Sequence, residues 1–246
     1  MSADQYIDGS YLEKVGDWHV GDSVWKASKV HQMLERNHLV VRSVSDVGCG
    51  AGLILAELQK KLGAEVRFAG YDISPQAIDM ARRYENEGLR FYNEDFLAVD
   101  LPRPDVALLL DVFEHVPDYL GFLTALCERT DWVVFHIPLD MCGKAVLRKS
   151  DYMLYMRTQF GHLHYFSQET ALATLADVGF EVVDKFITVD DDNGGLAVQR
   201  KLAHKVYYLA RKGLLRAIPD LTAACFTHFN LMVLARGARR PARSGA

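Results

Sequence analysis

This chain of 246 residues has few cysteines, no net positive charge and no long apolar run. Its four cysteines are widely scattered and form no Cys-x-x-Cys pair, which argues against a disulfide framework or a compact zinc motif. A formal net charge of −4 disfavours a primary nucleic-acid binder, because contacts with a phosphate backbone require a basic face. No run of about 18 apolar residues is present, and the N-terminal residues lack the order of a signal peptide. We therefore expect a cytoplasmic protein with reduced thiols, no nucleic-acid partner and no stable membrane association.

Half of the residues are hydrophobic, which is enough to build one substantial core in a chain of this length. Apolar segments with strand character alternate with segments of helical periodicity, a pattern typical of an α/β protein with a parallel sheet. Val106 to Leu110 is apolar throughout, as expected for a strand that helices cover on both faces. The sequence thus predicts a single α/β domain.

The most informative segment runs from Asp46 to Gly52 with the order D-V-G-C-G-A-G. Glycine permits a sharp turn and lets a ligand approach the backbone without meeting a Cβ atom. Twenty residues after Gly52, Asp72 follows a second apolar strand, where its carboxylate is placed to accept hydrogen bonds from a ribose. A glycine turn and an acid in this order predict a nucleoside-binding site.

The charge of Asp46 favours one kind of nucleoside over another. The dinucleotide fingerprint is G-x-G-x-x-G, whereas the spacing from Gly48 to Gly52 is G-x-G-x-G. A carboxylate two residues before the first glycine would repel a pyrophosphate but would attract a ligand that carries ammonium and sulfonium groups. S-adenosylmethionine is such a ligand.

At this point the chain resembles the class I S-adenosylmethionine-dependent methyltransferases of small molecules. The glycine segment, the turn after Asp72, the Asn93 to Phe96 segment and the stretch from Asp105 to Val116 are similar to that family's first four motifs, in the family's order. The resemblance implies a doubly wound, mostly parallel sheet of seven strands with an antiparallel C-terminal strand, a Rossmann-like fold with helical additions. It also implies transfer of a methyl group from S-adenosylmethionine to a small-molecule acceptor.

The resemblance supplies a set of expected cofactor contacts. They are Asp46, Gly48, Cys49, Gly50, Gly52, Asp72, Ile73, Asp95, Phe96, Asp111, Val112 and Phe113. For Asp72 a helix-capping role, and for Asp95 a solvated loop position, are the structural alternatives. Asp111 ends a buried strand, so its carboxylate requires a partner, which is cofactor, substrate or protein.

The domain expected from the resemblance spans residues 43–236. Residues 1–42 are predicted to form an N-terminal helical lid, insertions fall at about 138–166 and 194–220, and residues 237–246 are predicted to be a disordered tail. Because grafted segments usually carry specificity, we expect the acceptor pocket to be built from the lid and the two insertions. The second insertion is basic and amphipathic; a lid or dimer helix is favoured over a membrane-surface helix, and a homodimer is left open.

Histidines are the candidates for a general base, which a hydroxyl acceptor would need near neutral pH. His162 and His164 are favoured because their strand-like spacing should place both rings on one side, with Asp140 or Tyr165 as orienting groups. His136 is a further candidate. A divalent metal held by His136, Asp140, His162 and His164 is the weaker alternative, and we expect no metal. The absence of an Asn/Asp-Pro-Pro-Tyr motif favours oxygen or carbon acceptors over nitrogen.

Two other functional classes are consistent with parts of the pattern. One is a nicotinamide-dependent oxidoreductase, which the glycine spacing and Asp46 disfavour. The other is a catalytically silent module that binds S-adenosylmethionine, which the intact motifs disfavour. Binding of the methyl donor and turnover of an acceptor distinguish the three.

Overall fold

The computed structural model describes residues 20–147, 151–189 and 202–237. The predicted tail, apart from Gly237, and the N-terminal residues before Val20 lie outside the described residues. No helix in the described part of the chain is both long enough and apolar enough to cross a bilayer.

One sheet of seven strands organises the described residues. The strands are β1 (Ser43–Val47), β2 (Arg67–Tyr71), β3 (Leu89–Tyr92), β4 (Val106–Leu110), β5 (Trp132–Pro138), β6 (Glu181–Val189) and β7 (Phe229–Arg236). Their order across the sheet is β3-β2-β1-β4-β5-β7-β6. The first five strands run parallel, and β7 is antiparallel to both β5 and β6. The predicted mostly parallel sheet with an antiparallel C-terminal strand is confirmed.

Helices cover both faces of this sheet. They are α1 (Ser23–Arg36), α2 (Leu53–Leu62), α3 (Pro75–Ala81), α4 (Tyr119–Arg129), α5 (Gly143–Leu147), α6 (Tyr152–Tyr155), α7 (Gln168–Asp177), α8 (Leu202–Ala217) and α9 (Pro219–Cys225). The core has two halves: α1, α2 and α3 pack on one face, and α4 and α7 pack on the other. This is the doubly wound arrangement.

Local sequence sets several of the helix starts. The Ser74 side chain accepts a hydrogen bond from the backbone N–H of Ala77, and Pro75 at the first helical position loses no hydrogen bond there. Ser167 and Thr170 form a reciprocal capping box at the start of α7. These starts place the loops that precede α3 and α7 at one edge of the sheet.

Helix α1 is joined to the far edge strand by polar contacts. The Arg36 guanidinium lies 2.8 Å from a carboxylate oxygen of Asp184 on β6. The Asn37 amide also donates to Asp184, at 2.8 Å. Helix α1 is therefore linked by these contacts to a strand that lies about 150 residues later in the sequence.

The two predicted insertions contain regular structure. The first holds α5, α6 and one turn of π-helix over Met156–Phe160. The second holds α8 and continues through α9, which ends at Cys225, a few residues beyond the expected boundary. Residues 190–201 lie outside the described part.

Candidate functional site

A cavity of about 660 Å³ opens at the carboxyl ends of the parallel strands. This is the edge at which open α/β sheets bind their ligands. One part of the lining comes from the glycine turn and the ends of β2 and β4, and another part comes from the first insertion. Its volume is in the range of small-molecule sites.

The glycine turn forms the floor of the cavity after β1. Gly48 and Gly52 both have φ of +77°, in the left-handed region that favours glycine. A Cβ atom on Gly48 would lie 2.7 Å from the Val112 side chain, and one on Gly52 would lie 2.6 Å from the Phe91 ring. The backbone here is packed so closely against β3 and the end of β4 that only glycine fits.

Asp72 lines the cavity at the end of β2, and its carboxylate is held in place. One oxygen accepts the backbone N–H of Gly50 at 2.9 Å, and the other accepts the N–H of Ser74 at 2.8 Å. Burial raises the pKa of Asp72, while the hydrogen bonds from Ser74 and Gly50 act in the opposite direction. The carboxylate is therefore oriented before any ligand arrives.

Asp46 lies behind the turn and not in the cavity lining. It is 1% exposed, and within the part of the chain that the structure describes its Oδ2 atom has no hydrogen-bond partner. Burial, together with the nearby charge of Asp72, raises the pKa of Asp46 to about 7. Asp46, predicted as a cofactor contact, therefore does not line the cavity, and its carboxyl group is only partly ionised near pH 7.

The residues that follow β3 line the side of the cavity that is expected to receive the adenine ring of the cofactor. Asp95 lines the cavity, and its Oδ1 accepts the backbone N–H of Leu97 at 2.9 Å. Phe96 is buried against Tyr71 with ring centroids 5.3 Å apart. Ile73 is 40% exposed and also lines the cavity. These apolar groups could flank a flat ring, as Cys49 and Val112 do nearer the turn.

Asp111 ends β4 with a φ of +55°, which is uncommon for a residue with a side chain. Its Oδ1 lies 2.6 Å from His136 Nδ1, and its Oδ2 lies 2.6 Å from Lys26 Nζ on α1. His136 Nε2 lies 3.0 Å from the Thr188 hydroxyl, and the Trp25 ring packs edge-on against the imidazole. The partner that the sequence required for Asp111 is thus supplied by protein.

His162 lines the cavity from the first insertion and is paired with Asp140. Its Nδ1 lies 2.5 Å from Asp140 Oδ2, and the Tyr152 hydroxyl donates to Asp140 Oδ1 at 3.2 Å. Because Nδ1 is engaged, Nε2 is the nitrogen that remains for a ligand. Tyr152, Tyr155 and Phe160 add aromatic surface to this part of the lining.

Besides Asp46, three of the predicted site residues lie outside the lining of the cavity: His164, Phe113 and His136. His164 packs on Tyr119 and its Nε2 contacts the Val116 carbonyl at 3.0 Å. The segment around it is irregular, so the shared orientation of His162 and His164 that strand spacing would give is not observed. Phe113 is fully buried among core rings, and His136 belongs to the Asp111 network described above.

Glu114 is a functional candidate that sequence reasoning missed. It is 1% exposed, and neither carboxylate oxygen has a hydrogen-bond partner among the described residues; burial and the nearby Asp111 raise its pKa well above the usual range. Glu114, His115 and His162 each offer one oxygen or nitrogen within 4.8 Å of the others, a chemistry that would suit a divalent cation. Glu114 falls within the Asp105 to Val116 segment that resembles a family motif, but its burial depends on a later loop, in which the N–H groups of Leu163 and His164 donate to the Glu114 carbonyl oxygen.

Comparison with known proteins assigns this arrangement to a family. A family model described as a methyltransferase domain matches residues 23–185. The chain is 34% identical over 142 residues to the ubiquinone biosynthesis O-methyltransferase of Actinobacillus pleuropneumoniae, a match that covers 51% of this chain and 59% of that protein. It is 27% identical over 179 residues to the mitochondrial protein of the same name from Schizosaccharomyces pombe, covering 70% and 59%. The chain thus spans about three fifths of the length of these relatives.

Solved structures share the fold. The putative methyltransferase of Haloferax volcanii, in complex with a methyltransferase activator, superposes with a TM-score of 0.66 at 17% identity and covers 98% of this chain and 99% of its own. The magnesium protoporphyrin IX methyltransferase of Synechocystis, solved with bound S-adenosylhomocysteine, gives 0.58 at 16% identity and covers 90% and 86%.

Proposed function

The chain belongs to the class I S-adenosylmethionine-dependent methyltransferase family, and on this premise we propose that it methylates a hydroxyl oxygen of a small-molecule acceptor. The proposal includes a cytoplasmic location and excludes a nucleic-acid partner. The observation that carries it is a single cavity that joins the glycine turn and Asp72 to a second polar centre, the Asp140–His162 pair. One centre suits the donor and the other suits the acceptor.

The donor half fits the residues present. Asp72 would accept hydrogen bonds from the ribose, because its carboxylate is already aimed by the backbone of Gly50 and Ser74. The bare backbone of the turn would let the donor lie close to β1. Ile73 and Phe96 would pack on the adenine, with Asp95 near its amino group. When bound, S-adenosylmethionine supplies an electrophilic methyl group on a positively charged sulfur.

The acceptor half of the cavity would orient the acceptor molecule and provide a group that takes its hydroxyl proton. His162 Nε2 would take the hydroxyl proton as the oxygen forms its bond to the methyl carbon and the carbon–sulfur bond breaks. Asp140 fixes the ring through Nδ1 and stabilises the imidazolium that results, and the Tyr152 hydroxyl holds Asp140 in turn. The aromatic lining from Tyr155 and Phe160 would exclude water and orient a flat or apolar acceptor.

The similarity to proteins named ubiquinone biosynthesis O-methyltransferase supports oxygen as the acceptor atom. The oxidoreductase alternative requires room for a pyrophosphate beside the turn, where Asp46 and Asp72 both carry carboxyl groups. The silent-module alternative leaves the Asp140–His162 pair in the cavity without a use.

Calorimetric titration of the full chain tests the donor half directly. We expect binding of S-adenosylhomocysteine and S-adenosylmethionine and no binding of NADH. Asp72→Asn should weaken S-adenosylhomocysteine binding by about tenfold to a hundredfold, because a charge-assisted hydrogen bond to the ribose is lost. Asp105→Asn, at the opposite end of the strands, is the matched control. Folded protein that binds NADH, or neither sulfur nucleoside, would overturn the proposal.

A further inference from the structure

Three residues that carry a side chain have a positive φ in the described part of the chain: His38, Asp111 and His228. His38 follows the end of α1, where its backbone N–H donates to the carbonyl of Glu35, and helices often end with a residue in this conformation. Asp111 is held by the two nitrogen contacts described above. His228, with a φ of +66°, has neither explanation.

The backbone on both sides of His228 is anchored. The carbonyl of Thr227 accepts a hydrogen bond from the Arg211 guanidinium at 3.3 Å, and the carbonyl of Phe229 accepts the backbone N–H of Leu139 at 2.9 Å. Thr227 and Phe229 are both buried, whereas His228 between them is exposed. Glycine would take this left-handed conformation at no steric cost. The chain instead holds an imidazole here against backbone strain, although that side chain is not part of the core.

The imidazole of His228 lies in the acceptor half of the cavity. It lines the cavity together with Tyr152, and the two rings meet edge to face with their centroids 6.1 Å apart. The Tyr152 hydroxyl in turn donates to Asp140, the carboxylate that holds His162. Tyr152 therefore contacts both the Asp140–His162 pair and His228.

His228 differs from the two other histidines in the described lining of the cavity, His115 and His162. His162 has Nδ1 engaged by Asp140, and His115 Nε2 lies 3.8 Å from the Glu114 carboxylate. Neither ring nitrogen of His228 is hydrogen-bonded to a residue that the structure describes. An imidazole has at least one N–H donor in every protonation state, so His228 can bind an oxygen atom of a ligand.

We propose that His228 determines acceptor specificity: it binds a second oxygen-bearing group of a flat aromatic acceptor, while His162 takes the proton of the hydroxyl that is methylated. The inference rests on the proposed function. It defines the acceptor class as an aromatic ring that carries a hydroxyl and, remote from it, a carbonyl or carboxylate oxygen. The aromatic lining from Tyr152, Tyr155 and Phe160 suits such a ring. The anchored backbone holds the imidazole in place before the acceptor arrives.

NMR titration of the full chain, saturated with S-adenosylhomocysteine, tests this with phenol, 4-hydroxyacetophenone and 4-hydroxybenzoate. Phenol lacks the second oxygen group, and the other two probes carry a neutral and an anionic one. His228→Gly should weaken both of these by about threefold or more, because a hydrogen bond to the second oxygen is lost. The affinity for phenol should stay within about twofold. The relative size of the two losses tells whether the natural group is neutral or anionic.

Glycine takes the same φ without strain, so the His228→Gly variant removes the imidazole and keeps the backbone. His38→Gly is the matched control, since His38 is exposed, has a φ of +53° and lies outside the lining. It should change none of the three affinities. His228→Asn should recover part of the loss, because asparagine tolerates a left-handed conformation and its amide also donates.

Neither glycine variant should lower the temperature of unfolding, because each relieves backbone strain. A lower temperature for His228→Gly alone would show that the imidazole is structural and would overturn the inference.

The failures of the two proposals differ. If S-adenosylhomocysteine does not bind the unaltered chain, the proposed function fails, and the role of His228 fails with it. If S-adenosylhomocysteine binds but none of the three probes does, the role of His228 is wrong and the donor site is retained. The same holds if His228→Gly weakens all three probes equally, or weakens none.

Discussion

At the residue scale, the Asp140–His162 pair is set apart from the other histidine–acid contacts of the site. His136 is closed in by Asp111 on one side and Thr188 on the other, so it offers no atom to a ligand. His162 has one nitrogen bound by Asp140 and lines the cavity. A base must reach its substrate, and only the second arrangement permits this.

We expect His162→Gln to lower the rate of methyl transfer by about a hundredfold to ten-thousandfold, the range found for removal of a general base. Donor affinity should stay within about twofold of that of the unaltered protein, because Asp72, the proposed ribose contact, lies at the end of β2 and outside the first insertion. Asp140→Asn should also slow transfer, whereas His164→Gln, outside the lining, is the matched control. The measurement is single-turnover transfer of labelled methyl to an acceptor found by screening.

A divalent cation at Glu114, His115 and His162 would give a different result. Transfer would then stop in EDTA and return on addition of a divalent metal that imidazole ligands favour, such as Mn²⁺ or Zn²⁺, which would contradict a metal-free base. Full activity in EDTA agrees with the proton transfer proposed here.

Asp46 makes the stability of the fold depend on pH. Its pKa of about 7 in the folded chain lies above the value of 3.8 of an unperturbed aspartate, so the folded state holds its proton more tightly. The contribution of protonated Asp46 to the free energy of unfolding is fully present below pH 4 and is lost as the pH rises through 7. Asp46→Asn removes this loss, and the variant should gain roughly 2 to 4 kcal/mol relative to the unaltered chain between pH 4 and pH 8.

Urea unfolding of both proteins across that pH range measures the difference. The exposed Asp79→Asn serves as the control for removing a surface acid. If the free energy of unfolding depends on pH in the same way for Asp46→Asn and for the unaltered chain, the raised pKa that we attribute to the burial of Asp46 is contradicted.

At the scale of elements, the glycine turn is fixed by crowding as well as by backbone conformation. Gly52 and Gly63 both have positive φ, at the start and the end of α2, but a Cβ on Gly63 would meet no described residue within 4 Å. A Cβ on Gly52 would lie 2.6 Å from Phe91 and 2.7 Å from Ala81. Substitutions at Gly63 and at Gly52 therefore separate the free-energy cost of the backbone conformation from the free-energy cost of steric overlap.

We expect Gly63→Ala to destabilise the chain by about 1 to 2 kcal/mol through backbone strain alone. Gly52→Ala should cost at least about 2 kcal/mol more, because β3 or α3 must move to admit the methyl group. Denaturant unfolding of the chain without nucleosides gives both values. Equal losses would show that the contact with Phe91 relaxes at little cost.

At the scale of the whole molecule, the order of strands and helices followed from the sequence, because strands buried on two faces and capped helices have strong local patterns. The position of Asp72 and of the glycine turn at the carboxyl ends of the strands was predictable for the same reason, because it depends on neighbours in the chain; their contacts with a cofactor stay a prediction. Lys26 and Glu114 were not. The ion pair of Lys26 with Asp111 joins residues far apart in the chain, and the burial of Glu114 depends on the His162 loop, so neither has a local signal.

The ion pair between Arg36 and Asp184 also has a consequence for the synthesis of the chain on the ribosome. Helix α1 leaves the ribosome well before β6, and at roughly 5 to 20 residues per second the interval is about 7 to 30 seconds. Throughout that time α1 lacks its edge strand, and for roughly the first two thirds of it the histidine of β5 is also not yet synthesised. The nascent helix α1 can therefore pack against α2 early, whereas its ion pair with β6 forms only when synthesis is nearly complete.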